Sequence, residues 1–192
     1  MRPYEELVVP IPDYPKPGIV FQDLTPAFAD GVTFAAMVDD LAAHFADAGI
    51  TKVVGAEARG FIVGAAVALR LGAGFVPCRK PGKLPRTTLR ESYVLEYGTD
   101  ALEIHADALT PDDVVLIVDD LVATGGTVRA VVKMIEGTGA TLAGMGFFLE
   151  LGLLGFCAVG RMFSREKSPS ALRVSRRCLF SGSAKYSEVG CF

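Results

Sequence analysis

Two adjacent carboxylates followed by a glycine-containing loop are the residues of this chain best suited to chemistry. Asp119 and Asp120 directly follow the apolar run 114–118, and the loop Ala123-Thr124-Gly125-Gly126-Thr127 comes shortly after them. Two carboxylates can accept hydrogen bonds from the neighbouring hydroxyls of a sugar such as ribose. The glycines let the backbone approach an anion closely, and N–H groups of the loop and the following helix can bind phosphate. The stretch therefore predicts a sugar site beside a phosphate site.

The alternative for this stretch is a solvated strand end, since Asp and Gly are common where strands end in α/β domains. The apolar run, the paired acids and the glycine loop occur together, which favours the ligand site. Neither a Gly-x-x-x-x-Gly-Lys-Ser/Thr sequence nor a Gly-x-Gly-x-x-Gly between a strand and a helix occurs. The other common nucleotide-binding motifs are therefore missing.

Two further segments could bind anions. The segment 57–60 follows a predicted strand and opens a predicted helix, so its backbone N–H groups and the Arg59 guanidinium could bind a phosphate. An ordinary strand-to-helix turn with a solvated arginine is equally compatible with these residues. The segment 79–86 is densely basic and suits a polyanion such as pyrophosphate, with a solvated basic loop as the alternative.

A long polar stretch, 79–97, lacks clear periodicity. Long irregular segments in compact domains are often lids over binding sites. Within this stretch Glu96 could accept a proton or a hydrogen bond from a heterocyclic base, although alone it is typical of a solvated side chain. Neither His44 nor His105 has a partner at metal-ligand spacing, so no metal site built by the protein alone is predicted.

Alternating strands and helices must position these residues. Strands are predicted at 52–56, 73–78, 102–106, 114–118 and 141–149, and helices at 34–48, 61–71 and 128–136. Gly49 and Gly137 are the predicted ends of the first and last of these helices. The pattern predicts an α/β fold with a central parallel sheet flanked by helices, in which ligands bind beyond the carboxyl ends of the strands.

The composition is that of a globular chain. It has 192 residues, 51 % of them hydrophobic, which suits one domain with a sizeable core. No apolar run approaches transmembrane length and no signal-peptide pattern occurs at the N-terminus, so a cytoplasmic protein without a membrane partner is expected. The net charge of −3 argues against nucleic acid as a partner.

The composition changes after Gly155. Up to that residue the chain has 12 Lys and Arg against 20 Asp and Glu, and beyond it 7 against 2. Seven of the eight serines and three of the four cysteines also lie beyond Gly155, and the cysteine spacings match no zinc pattern. We expect three parts: a Pro-rich N-terminal segment 1–31, a core 32–155, and a tail 156–192. The tail is interpreted as an out-of-frame or disordered terminus.

Together these segments resemble the type I phosphoribosyltransferases, and within them the adenine phosphoribosyltransferase family. The resemblance covers residues 14–155 and rests on the segments 13–23, 57–61, 79–85, 93–98, 119–127 and 150–152. It implies a small N-terminal hood, a lid loop, and a purine-salvage reaction. In that reaction the 5-phosphoribosyl group of 5-phosphoribosyl 1-pyrophosphate (PRPP) moves to N9 of adenine, giving AMP and pyrophosphate.

The resemblance also implies a role for each site residue. Asp119 and Asp120 would hold the ribose hydroxyls. The 5′-phosphate would bind to Ala123, Thr124, Gly125, Gly126 and Thr127. The pyrophosphate side would be lined by Ala58, Arg59, Lys80, Lys83 and Tyr97, and the family often has a non-proline cis peptide at the Ala58–Arg59 turn. Adenine would lie between Val20, Phe21 and Leu121. The catalytic residues would be Glu96, facing N7 or N9 of the base, and Arg59, which would also reach the base.

Mg²⁺ would be the cofactor, carried by PRPP rather than by direct protein ligands, and the resemblance implies a homodimer. The segment after Gly155 departs from the family, since nothing like its final apolar strand is present. Two alternatives therefore stay open beside the active enzyme. One is a regulatory protein that senses PRPP without catalysis, and the other is an inactive variant with a disrupted C-terminus.

Overall fold

The structure, a computed structural model, describes residues 4–94, 99–123, 125–150 and 161–162. A 3₁₀ helix, Tyr4–Leu7, precedes the regular elements. The strands are β1 (Val9–Pro12), β2 (Val20–Asp23), β3 (Lys52–Ala56), β4 (Gly74–Cys78), β5 (Thr88–Val94), β6 (Thr99–His105), β7 (Val114–Val122), β8 (Thr141–Glu150) and β9 (Arg161–Met162). The helices are α1 (Thr25–Ala29), α2 (Gly31–His44), α3 (Arg59–Leu71) and α4 (Gly126–Thr138).

A parallel sheet of order β4-β3-β7-β8-β9 is the centre of the fold and confirms the predicted fold class. From β3 the chain passes through α3 to β4 on one side, and from β7 it passes through α4 to β8 on the other. The strand order therefore reverses between β3 and β7. Ligands of open α/β sheets bind at such a point, beyond the carboxyl ends of the strands. The predicted site segments 57–60 and 119–127 both leave the sheet there.

Alternation along β7 divides the apolar core between the two faces of the sheet. Val115 and Ile117 pack in the cluster that includes residues of α4 and β6. Leu116 and Val118 pack in the opposite cluster, with residues of α1, α2 and α3. All four of these β7 side chains are buried. A strand covered on both faces explains why its sequence is continuously apolar.

The helices agree with the sequence pattern in position, but their ends differ. Helix α2 begins at Gly31, because the carboxylate of Asp30 accepts a hydrogen bond from the Thr33 N–H at 2.8 Å. It ends at His44 rather than at residue 48, because Phe45 turns into the core. Helix α4 is capped by Gly139, at φ 79°, and not by Gly137, which lies inside the helix.

Strands β1, β5 and β9 were not predicted, and β2 overlaps residues 18–21, where the sequence predicts an extended segment. The short strands β1 and β2 pair antiparallel within the segment expected to be mostly irregular. Strand β5 pairs antiparallel with β6 over seven residues, so the prediction of an irregular lid is wrong over Thr88–Val94. The two residues of β9 pair with Gly144 and Met145 of β8 and lie within the segment assigned to the tail. Among the described residues, no helix is both long enough and apolar enough to span a membrane.

Candidate active site

The paired acids Asp119 and Asp120 lie near the carboxyl end of β7, the strand that leads into α4. Asp120 is 2 % exposed. The Asp119 carboxylate accepts a hydrogen bond from the Asp120 N–H at 2.9 Å, and the Asp120 carboxylate accepts one from the Leu121 N–H at 2.9 Å. Each side chain is thus oriented by the backbone that follows it, which leaves its second carboxylate oxygen for other partners.

Burial opposes ionisation of both acids. Burial and, after it, the neighbouring Asp120 charge raise the pKa of Asp119 to about 7, against smaller opposing contributions from a backbone hydrogen bond and Arg59. Burial also raises the pKa of Asp120, against the attraction of the Arg59 guanidinium. Two carboxylates held this close in a poorly solvated place do not both ionise easily. The pair is suited to a ligand that supplies hydroxyl hydrogens or a cation.

The turn after β3 closes over these acids. The peptide bond between Glu57 and Ala58 is cis, one residue before the Ala58–Arg59 turn where the family resemblance implied it. Helix α3 begins at Arg59, and its second residue, Gly60, lies against the end of β7. A Cβ atom at Gly60 would be 2.7 Å from Asp119 Oδ1, which is too close for a real contact. Only glycine lets α3 begin this near the Asp119 carboxylate.

Arg59 connects two of the predicted subsites. Its Nε atom lies 2.8 Å from Asp120 Oδ2, with the arginine side chain 32 % exposed. Its guanidinium carbon lies 5.0 Å from the centroid of the Phe21 ring, within the range of a cation–π contact. The Nε–H is not aligned with the carboxylate, so Asp120 Oδ2 accepts no hydrogen bond within the described part of the chain. That buried oxygen is paired by charge with the guanidinium but has no aligned hydrogen-bond donor among the described residues.

The predicted adenine residues lie on two elements. Val20 and Phe21 begin β2, where Val20 is 50 % exposed and the Phe21 ring meets the edge of the Tyr14 ring at 5.3 Å. Leu121 is half-buried at the end of β7 and packs against the cluster that contains α3. The structure brings Phe21 to Arg59.

The predicted phosphate loop leads directly into α4. Ala123 is exposed, and Gly125 is the N-cap residue with a φ of 75°, a conformation that favours glycine. Gly126 and Thr127 form the first helical positions, so their N–H groups point out of the helix start, as anion binding needs. Thr124 lies outside the described residues, as do the predicted residues Glu96 and Tyr97.

Glu57 braces the basic segment that follows β4. Its Oε2 atom accepts hydrogen bonds from the Lys80 N–H and from Arg79 Nε, both at 3.1 Å. These contacts, the Lys80 backbone bond foremost, hold the pKa of Glu57 below its usual value against the opposing effect of burial. Glu103, which is 8 % exposed, accepts a hydrogen bond from the Gly82 N–H at 3.1 Å. Two carboxylates thus fix the backbone of this basic segment, and their negative charge offsets part of the repulsion among its cations.

The two predicted lysines of this segment differ in their surroundings. Lys83 is exposed, and its carbonyl accepts a hydrogen bond from Arg79 Nη1 at 3.2 Å. The ammonium of Lys80 instead pairs with Asp100 on β6 and lies 3.5 Å from the Tyr93 hydroxyl on β5. Sequence reasoning named Glu57 only as the first residue of the segment 57–60, and it gave no role to Glu57, Glu103 or Asp100. The only available signal was the occurrence of acids near a basic run, which does not say which of them are close in space.

A separate cavity of about 380 Å³ lies between α2 and the end of α3. Its lining includes Asp39 and Arg70, which form an ion pair at 2.5 Å. Arg70 is at the opposite end of α3 from Arg59, so this cavity does not coincide with the site at the ends of β3 and β7.

Comparison with known proteins identifies consistent relatives. Residues 25–151 match the family described as "Phosphoribosyl transferase domain". The adenine phosphoribosyltransferase of Aeromonas salmonicida (strain A449) is 57 % identical over 151 residues, which is 79 % of this chain and 83 % of that protein. The crystal structure of adenine phosphoribosyltransferase from Thermoanaerobacter pseudethanolicus superposes with a TM-score of 0.75 at 47 % identity, covering 77 % of this chain and 86 % of the other.

A third relative was solved with ligands. The Saccharomyces cerevisiae adenine phosphoribosyltransferase, in complex with adenine and an iminoaltritol bisphosphate, matches at 39 % identity with a TM-score of 0.73. The match covers 77 % of this chain and 88 % of that one.

Proposed function

The chain belongs to the adenine phosphoribosyltransferase family, and from that premise we propose that it transfers the 5-phosphoribosyl group of PRPP to N9 of adenine in purine salvage. The observation that carries the proposal is the meeting of Asp119, Asp120 and Arg59 at the point where the strand order reverses. The products are AMP and pyrophosphate. The proposal retains the cytoplasmic location predicted from the sequence.

The residues of this chain bind and orient two substrates rather than supply a nucleophile. Departure of pyrophosphate builds positive charge at ribose C1′ and negative charge on the leaving group. Asp119 and Asp120 accept hydrogen bonds from the ribose hydroxyls, and Asp120 Oδ2 already lacks an aligned donor among the described residues. Backbone N–H groups of 123–127 bind the 5′-phosphate. Ala58, Arg59, Lys80, Lys83 and Tyr97 face the pyrophosphate, whose negative charge fixed cations stabilise as it forms.

The base is held by the remaining predicted residues. Val20 and Phe21 clasp adenine from β2, with Leu121 beneath the ring. Because Arg59 lies over Phe21 and beside Asp120, it can reach both the base and the ribose. Glu96 keeps its predicted role of taking a proton or hydrogen bond at N7 or N9.

Mg²⁺ fits this site as an ion bound to the donor PRPP rather than to the protein alone. Among the described residues, no group of three His, Cys, Asp or Glu side chains could hold a metal ion. The carboxylates of Asp119 and Asp120 are nevertheless hard oxygen donors, of the kind that contacts Mg²⁺ already bound to substrate phosphates. When bound, the ion supplies positive charge that stabilises the leaving pyrophosphate.

We also propose a homodimer, supported by one face of α3. Ile62 and Leu69 are 48 % and 81 % exposed, and Ala65 and Ala66 lie between them on the same helical face. An apolar stripe at this spacing on an exposed helix suits a helix–helix contact. The same helix begins at Arg59, so the Ile62 end of this face is the end nearer the pyrophosphate side of the site.

The three proposed parts of the chain differ in which site residues they supply. The segment 1–31 supplies Val20 and Phe21 to the adenine side, and the core 32–155 supplies every other predicted residue. The tail 156–192 supplies none.

Formation of radiolabelled AMP from adenine, PRPP and Mg²⁺ by the purified full chain tests the function. We expect turnover in the wild type and its loss, by about 10²-fold or more, in Asp119→Asn/Asp120→Asn, because neutral amides stabilise the positive charge that develops on the ribose less well than carboxylates do. Asp107→Asn is the matched control, since Asp107 is exposed and neither it nor its partner Arg86 is among the predicted site residues. A folded wild type that binds PRPP but forms no AMP would instead support a PRPP-sensing regulator.

A further inference from the structure

The ammonium of Lys80 lies in a small polar cluster on the hairpin formed by β5 and β6. It forms an ion pair with Asp100, and Asp100 Oδ2 is 3.3 Å from the Tyr93 hydroxyl. Lys80 Nζ is also 6.0 Å from the centroid of the Tyr93 ring. The lysine and aspartate side chains are 41 % and 28 % exposed, so the pair is partly shielded from water. Lys80, the cation expected to face the pyrophosphate, is thus already in contact with Asp100 and Tyr93.

The backbone of Lys80 is fixed at a different place from its ammonium. Its N–H donates to Glu57, the residue that precedes the Ala58–Arg59 turn. Between this anchored backbone and the ammonium lies a flexible four-carbon stem. The side chain can therefore change partners without moving the backbone or its bond to Glu57.

The charges of the cluster bear directly on donor binding. An isolated lysine would attract a pyrophosphate group, but the Lys80–Asp100 pair is neutral overall and attracts it much less. We propose that Asp100 is a positioning residue that sets donor affinity by competing with the pyrophosphate group for Lys80. This inference rests on the proposed function, because it takes PRPP as the donor and pyrophosphate as the product.

The backbone holds the Asp100 carboxylate in a position from which it can compete for Lys80. Its Oδ1 atom accepts a hydrogen bond from the Ala101 N–H at 2.8 Å, and Ala101 is buried. The carboxylate is therefore oriented by the strand itself, while Oδ2 faces Lys80 and Tyr93. Weaker binding of pyrophosphate also means faster release of that product. The competition therefore affects both the binding of PRPP and the release of pyrophosphate.

The test is the dissociation constant of Mg²⁺–pyrophosphate and of Mg²⁺–PRPP, measured by titration calorimetry on the full chain. Asp100→Asn keeps the side-chain shape and the acceptor for Ala101 but removes the charge. We expect it to tighten binding of both probes by about two- to fivefold, the range of a partly exposed ion pair. Tyr93→Phe removes the hydroxyl that donates to Asp100 Oδ2, so Asp100 should pair more strongly with Lys80 and binding should weaken slightly.

Two further variants separate competition from a general effect of charge. Asp107→Asn removes the exposed partner of Arg86, a cation of the same basic segment, and should leave both dissociation constants unchanged. In a Lys80→Met background, Asp100→Asn should have no effect, because the contested cation is gone. Thermal unfolding of each variant confirms that it is folded, and Tyr93→Phe carries the test if Asp100→Asn does not fold.

Unchanged or weaker binding in Asp100→Asn would overturn the proposal, as would equal tightening in the Lys80→Met background. The fate of the proposed function is read separately from AMP formation by the wild type. A wild type that makes AMP while Asp100→Asn binds like it would refute this inference alone. A wild type that binds pyrophosphate without making AMP would refute the function, and the comparison of dissociation constants would still decide the role of Asp100.

Discussion

Asp119 is a residue whose ionisation the fold opposes. Its pKa is raised from 3.8 to about 7, first by burial and then by the charge of Asp120. Between about pH 4 and pH 7 the folded chain therefore holds a proton that the unfolded chain has already lost. Because the folded state binds more protons in this window, Asp119 lowers stability as the pH rises through it. The site is kept at a cost in folding free energy.

Replacement of Asp119 by Asn should remove this pH dependence. We expect the free energy of unfolding of Asp119→Asn, relative to the wild type, to rise between pH 4 and pH 7 by the order of a few kcal/mol. Above about pH 7 the difference should level off, since the wild-type carboxyl is then ionised in both states. Denaturant unfolding at a series of pH values measures it.

Asp107→Asn provides the comparison for this experiment. Asp107 is 66 % exposed, and its replacement should give a difference that changes little across the same range. A difference for Asp119→Asn that stays constant with pH would show that Asp119 is ionised in the folded state throughout.

At the scale of elements, the approach of α3 to β7 depends on Gly60. A Cβ atom there would meet Asp119 Oδ1 at 2.7 Å and the Asp119 carboxyl carbon at 3.1 Å. The start of α3 or the carboxylate must then move, and displacements of about an ångström in an active site cost about 10²-fold in rate. We expect Gly60→Ala to lower kcat/KM for PRPP by about that factor, measured by AMP formation.

Gly137→Ala is the control for helix propensity. Gly137 lies within α4, and a Cβ atom there would have nothing within 4 Å. This variant should keep wild-type kinetics and raise the free energy of unfolding by about 0.5–1 kcal/mol. Wild-type kcat/KM in Gly60→Ala would mean that the contact between α3 and Asp119 does not matter for catalysis.

The elements that the sequence predicts well are those whose burial leaves a pattern. Strand β7 is covered on both faces and reads as an unbroken apolar run, and the buried face of α2 repeats at helical spacing. Strand β5 could not be found in this way, because its sequence, TLRESYV, is polar and its structure comes from pairing with β6. The Asp30 cap of α2 was available in the sequence, as an Asp three residues before Thr33.

The site residues also fall into those that the sequence reveals and those that only the fold reveals. Asp119, Asp120 and Arg59 lie in local motifs, so each could be named from the sequence. That Arg59 touches both Asp120 and Phe21 could not, because those residues are brought together only by the sheet. The same holds for Glu57, Glu103 and Asp100, which are ordinary acids in sequence and acquire their roles from partners distant along the chain.

At the scale of the whole molecule, the exposed stripe on α3 can be tested as the dimer contact. Leu69→Glu places a charge at its most exposed apolar residue. Burying an unpaired carboxylate and losing the leucine contact should weaken association at least about tenfold. Light scattering after size exclusion, over a range of concentrations, should show a shift from dimer to monomer.

Val32→Glu is the matched control, since Val32 is 67 % exposed at the start of α2 and is not part of the stripe. It should leave the oligomeric state unchanged. A monomeric wild type, or a Leu69→Glu variant that associates as well as the wild type, would contradict the proposed interface.

The reversal of strand order between β3 and β7 has a consequence for folding. These neighbouring strands belong to segments far apart in the chain: the Thr51 hydroxyl, just before β3, bonds to Asp113, just before β7, across 62 residues. Contacts of such high sequence separation form late and slowly, because a long loop must close before they exist. Under the proposed function, a donor held at once by the turns after both strands would bind only the chain in which that closure is complete. At one hundred times its dissociation constant it would add about 2.7 kcal/mol to the folded state, so the substrate would stabilise the pairing of two strands that are distant in the sequence.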